Sequence, residues 1–72
     1  IYAAPNPTTG KFMVYGLSAA NIEVYNMFGA LVKTVENSNE IDLSAFAQGI
    51  YTIRLFDDKH QLRYTDKIMK QD

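Results

Sequence analysis

Along this chain apolar and polar residues alternate with a period of two, in short runs separated by turn-forming residues, and helical spacing is almost absent. "KFMVYG", residues 11–16, sets Phe12 and Val14 against Lys11, Met13 and Tyr15. "NIEVYNM", 21–27, sets Ile22 and Val24 against Glu23 and Tyr25. "ALVKTVE", 30–36, is a strand of ambiguous phase, because Leu31, Lys33 and Val35 compete with Val32 and Thr34. "EIDL", 40–43, places Ile41 and Leu43 on one face, and "IYTIRLFD", 50–57, gives the cleanest alternation, with Tyr51, Ile53 and Leu55 inward. "QLRYTDKIMK", 61–70, returns with Leu62, Tyr64 and Ile68 in one register; Asp66 shares that face, so the register or a bulge there stays open.

The punctuation fits the strands. Gly29 after Asn26-Met27-Phe28 supplies the freedom of a tight hairpin, and Gly49 suits a left-handed residue before the next strand. "NSN", 37–39, is a polar turn, and "DDKH", 57–60, is the last hairpin turn. "SAFAQG", 44–49, is too short for a stable helix. Residues 1–4 are the end of a linker or a short edge strand. In "APNPTTGKF", Pro5 and Pro7 lack an amide hydrogen and keep the chain extended and unpaired around Asn6, and Thr8 to Gly10 turn it into the first long strand. About seven strands result, so the expected fold class is all-β: a small immunoglobulin-like antiparallel β-sandwich, shorter than the ~100 residues usual for that architecture.

Composition narrows the function. The 72 residues make one small domain, and the absence of cysteine removes disulfides and thiolate metal sites, so packing alone must stabilise it. One histidine excludes a zinc site of the usual His/Cys type. A net charge of −1 argues against a nucleic-acid partner, and no apolar run approaches the ~18 residues of a membrane span. Ile1 is not an initiator methionine, and "IYAAPNP" reads as a linker leading into a terminal module of a larger protein.

Catalytic chemistry has little to stand on. His60 lies between Lys59 and Gln61 in a hairpin with no triad partner, and the adjacent Asp57 and Asp58 read as solvated turn acids. "NSNEID", 37–42, carries oxygen ligands for a weak calcium ion but lacks the glycine and spacing of a known loop. We therefore expect no catalytic, cofactor or metal residue and no enzyme. Five tyrosines raise carbohydrate binding as an alternative, with Tyr15 and Tyr25 outward and Tyr51 and Tyr64 inward; core packing accounts for most of them. Exposed edge strands allow weak homodimerisation.

Four blocks, in order, resemble a known family. "PNPTTGKFMV" resembles the opening P-N-P-S/T-x-G of the type A C-terminal sorting domains of the type IX (Por) secretion system. "IEVYNMFGALV", "IDLSAFAQGIYTIRL" and "DKIMKQD" resemble its V-Y-N-x-x-G hairpin, its D-L-S…G-x-Y block and its closing K-I/V-V/M-K segment. Departures are Ala47 where proline is frequent, Phe46 where leucine is, and the lead before Pro5. The resemblance makes residues 5–72 a sorting domain and implies a folded address label. Its partners would be the outer-membrane translocon and a sortase-like peptidase that cuts before or near Ile1, and its route the periplasm, to the cell surface or medium. Pro5, Asn6, Pro7, Gly10, Asn26, Gly29, Gly49 and Tyr51 then read as fold determinants of the signal. Lys67, Ile68 and Lys70 become the receptor-facing candidates, with Ile68 as the anchor and both lysines exposed.

Overall fold

The computed structural model describes residues 1–71. Seven strands form: β1 (Tyr2–Ala4), β2 (Lys11–Tyr15), β3 (Asn21–Tyr25), β4 (Leu31–Glu36), β5 (Glu40–Asp42), β6 (Gly49–Phe56) and β7 (Leu62–Lys70). They make two antiparallel sheets, β1-β2-β5 and β4-β3-β6-β7, the three-on-four sandwich expected from the alternation. The inward sets meet in one core. Phe12, Val14, Ile22, Val24, Ile41, Leu43, Ile53, Leu55 and Ile68 are each essentially inaccessible to solvent.

The ambiguous strand β4 is an edge. Val35 pairs with Ile22 and Lys33 with Val24, and a bulge at Val24/Tyr25 shifts the register beyond that point. Val32 and Val35 both pack on the core, while Lys33 reaches across the side of the sandwich to donate to the Asp42 carbonyl (3.1 Å). In β7 no bulge is needed at Asp66, which pairs with Ile53 in register. Its carboxylate instead accepts from the Tyr64 hydroxyl (2.6 Å) and from the Lys67 N–H (2.8 Å). Desolvation, reinforced by that Asp66 contact, pushes the Tyr64 phenol up to about 12. The register slips instead at Leu55/Phe56, and this turns Leu62 out of the expected core set to 46% exposure.

Two hairpins share one hydrogen-bond pattern. Asn26 N–H donates to the Ala30 carbonyl, Gly29 N–H donates to the Asn26 carbonyl, and Asn26 Oδ1 accepts from Phe28 N–H and Ala30 N–H. Asp57 repeats this with Gln61, His60 and Lys59. The left-handed position is Gly29 in the first (φ 80°) and His60 in the second (φ 60°). A side chain there costs about 1–2 kcal/mol, partly offset by the stiffer unfolded chain. His60→Gly is therefore expected to stabilise the domain by about 0.5–1 kcal/mol, seen as a melting temperature higher by a few degrees; a lower one would refute the strain.

The Gln61 and Lys59 amides hold the Asp57 carboxyl below its usual range, and the Ser44 hydroxyl and amide do the same for Asp42. Each folded pKa lies below its unfolded value. The stabilisation is therefore complete above the ordinary carboxylate range near pH 4 and is lost as pH falls through the folded pKa. Melting curves should show lower stability on acidification. Asp57→Asn, which can accept the same bonds as Asn26 does, should flatten that decline; an unaltered pH profile would contradict the assignment.

Candidate functional site

Pro5 and Pro7 carry no backbone N–H, but the segment does not stay unpaired as the sequence suggested. The Asn6 side chain replaces the missing peptide group. Its Nδ2 donates to the Lys67 carbonyl and its Oδ1 accepts from Met69 N–H, both at 3.0 Å. Thr8 continues the pairing with its backbone: its N–H donates to the Met69 carbonyl and its carbonyl accepts from Gln71 N–H, each at 2.8 Å. A parallel bridge between Thr8 and Lys70 results. The Ala4–Pro5 and Asn6–Pro7 peptides are both cis. The chain thus crosses from β1 in one sheet to the free edge of β7 in the other, and joins the first and last blocks of the sequence.

Behind this clip, Thr8 is 2% exposed, and its hydroxyl donates to the Lys11 carbonyl and accepts from Gly10 N–H. Gly10 is not required by a turn angle; a Cβ there would stand 2.9 Å from Ser44 Cβ, so its role is close approach. Gly49 also differs from expectation. Its φ of 152° lies outside the left-handed helical well, in a region L side chains rarely adopt, although the space around it is open. Two residues later Tyr51 is buried, and its hydroxyl donates to the Ala47 carbonyl (2.6 Å), the tyrosine-corner arrangement at the start of the sixth strand.

Beside the clip, the outer face of the four-stranded sheet carries an open groove of about 400 Å³, lined by Tyr25, Met27, Ile50, Thr52, Arg54 and Lys67 among others. Strand register builds it: Tyr25 lies opposite Thr52, and Thr52 opposite Lys67, in one row across three strands. Arg54 is flanked by Glu23 and Thr65 in the next row. Glu23 accepts a hydrogen bond from the Tyr25 hydroxyl and holds that phenol above its ordinary pKa. The groove therefore offers two cations, a phenol and apolar walls, with Met27 (66% exposed) and Phe28 (88%) at the adjoining hairpin tip.

The two terminal lysines divide. Lys67 is exposed and lines the groove. Lys70, expected on the solvent face, is only 5% exposed. The period of two puts it on the Ile68 face, and Thr8 bridges to it from the clip. Ile68, grouped with them as receptor-facing, is fully buried in the core and does not itself face outward. His60, Asp57 and Asp58 sit at the opposite, β6–β7 hairpin. Tyr2 and Tyr15 stack on one another with centroids 5.1 Å apart on the outer face of the other sheet.

Sequence reasoning missed two residues. Asn39, read as part of a polar turn, uses its side chain to hold the backbone of Val14, Leu17 and Ala19. Thr8 was read as a turn residue and is buried. Only a polar residue beside short turn segments marked either.

Comparison with known proteins gives one result. A search of curated proteins finds no match, and a search of solved structures finds none. The family model described as "Secretion system C-terminal sorting domain" (the Por secretion tail) matches residues 1–71. That family consists of sorting signals and is not an enzyme family; it implies contact with a secretion machinery and export to the cell surface or extracellular space. With its four characteristic blocks brought together around β7 and the groove beside it, this chain belongs to the secretion system C-terminal sorting domain family.

Proposed function

We propose that this domain is a folded address. The outer-membrane type IX translocon binds the surface formed by the groove and the exposed side of β7, after the cargo has crossed into the periplasm. A sortase-like peptidase then cuts before or near Ile1, and the domain catalyses nothing itself. The observation that carries this reading is the convergence of blocks far apart in sequence: Asn6 bonds to β7 across 61 and 63 positions, and the Asn26–Gly29 hairpin stands at the same groove as Lys67. A reporter with a periplasmic signal peptide and this domain at its C-terminus is expected at the surface of a host that has the system. Periplasmic retention of the reporter with the intact, folded domain would overturn the reading.

Carbohydrate binding is the competing reading, favoured only by the exposed Tyr2–Tyr15 pair. Because those rings face each other, we expect no saturable binding on a polysaccharide panel. Specific retention abolished by Tyr15→Ala would favour the sugar role instead.

A further inference from the structure

The two hairpins that share a hydrogen-bond frame stand at opposite ends of the four-stranded sheet and carry opposite chemistry. At corresponding positions the β6–β7 turn has Asp57, Asp58 and Lys59, and the β3–β4 turn has Asn26, Met27 and Phe28. Water suits the first. The second leaves Met27 66% and Phe28 88% exposed, with Leu31 (52%) at the foot of the turn. The frame does not demand this, since it accepts charged side chains at the same two places in the other hairpin. We propose that the β3–β4 tip anchors the chain to a lipid surface with anionic headgroups, Met27 and Phe28 entering the boundary between headgroups and acyl chains.

An apolar medium penalises a backbone N–H without a partner. In this turn the amides of Asn26, Phe28, Gly29 and Ala30 are all bonded within the hairpin, and the side-chain acceptor is a neutral carboxamide where the other hairpin has a carboxylate. The tip leaves water without breaking any of these bonds. Behind it the outer face is layered. The Ile50–Met69 pair stands nearest the tip, the Thr52–Lys67 pair comes next, and Arg54 follows one row further back. Apolar side chains ahead of cations is the order in which a membrane interface is crossed, with the ammonium and guanidinium at headgroup level. Among the described residues, none that line the hollows beside the tip is acidic. Glu23, in the Arg54 row, is engaged by the Tyr25 hydroxyl. A projecting apolar turn backed by cations fits a planar anionic interface, and this contact does not depend on how the translocon reads the groove.

Flotation of the chain with vesicles tests this, using equal parts phosphatidylcholine and phosphatidylglycerol beside phosphatidylcholine alone. The native chain is expected to float with the mixed vesicles and to bind the neutral ones at least about fivefold more weakly. Met27→Asp/Phe28→Lys copies the other hairpin, so it should keep the fold, checked by its melting temperature, and should lower binding at least about tenfold. If that variant fails to fold, Phe28→Ser carries the test with a smaller loss of the same sign. Phe28→Trp reports insertion directly: its emission should move to shorter wavelength on the mixed vesicles and be quenched by lipids brominated in the acyl chains. A native chain that ignores both vesicles, a folded tip variant that binds like the native chain, or Trp emission unmoved by vesicles would each overturn the proposal. So would capture by a translocon protein that the tip variant abolishes in a chain indifferent to lipid, which would put Phe28 in an apolar protein socket instead.

Discussion

Replacing Asn39 with alanine is expected to destabilise the domain by about 3 kcal/mol, because three hydrogen bonds at about 1 kcal/mol each are lost together. Its Oδ1 accepts from Ala19 N–H at 2.9 Å, and its Nδ2 donates to the Val14 and Leu17 carbonyls at 2.8 and 2.6 Å. Those partners belong to the end of β2 and the segment leading into β3, so one side chain fixes the crossing between the sheets. A domain of this size has roughly 4–10 kcal/mol of stability in all. The loss should therefore appear in denaturant titration as a large fall in midpoint. Asn39→Asp keeps the acceptor but turns a carboxylate towards two carbonyls, and should cost at least as much. Its exposed neighbour Glu40 gives the control, where alanine should change stability by no more than about 0.5 kcal/mol. An Asn39→Ala chain as stable as that control would refute the assignment.

Why Asn39 escaped the sequence reading, while the strands did not, follows from what sets each. A strand buried on one face imposes a period of two on neighbouring residues, so Phe12 and Val14, Ile22 and Val24, and Tyr51, Ile53 and Leu55 announce themselves locally. Asn6 and Asn39 act on backbone groups 20 or more residues away, and no local pattern records such a partner. Edge strands blur the signal further. At β4, Lys33 closes the side of the sandwich with its aliphatic stem, so its charge hides an inward position. Lys70 misled for the same reason: the alternation placed it inward with Ile68, but its charge suggested solvent. The groove was illegible because it is made by register between strands, although each of its walls lies in a block the sequence had singled out. The family blocks carried the functional reading, and the structure adds where they meet.

Ile68→Ala is the second large effect. Ile68 is fully buried opposite Tyr51, and its truncation should cost about 2–5 kcal/mol through lost burial and the cavity left behind. Thermal or denaturant unfolding checks this; a change below about 1 kcal/mol would mean that β7 is not anchored as described. The result also bears on how the C-terminal segment is tested. Deleting residues from 67 onward removes this anchor and a large part of the β6–β7 ladder, so the deletion unfolds the domain whether or not those residues are read by a receptor. Separating recognition from folding requires changes on the outer face alone. Lys67 and Arg54 serve, because both are exposed and their side chains support no core residue.

The most direct measurement therefore pairs export with folding: a signal-peptide reporter carrying the native domain, the Arg54→Glu/Lys67→Glu variant, or Ile68→Ala. Surface display is scored beside the melting temperature of each isolated domain. Reversing both groove charges should leave the fold intact but invert the charge that the groove presents to its partner, lowering display by at least about tenfold. Loss of display in a folded variant is the predicted result; native-level display by the folded Arg54→Glu/Lys67→Glu domain would contradict the account.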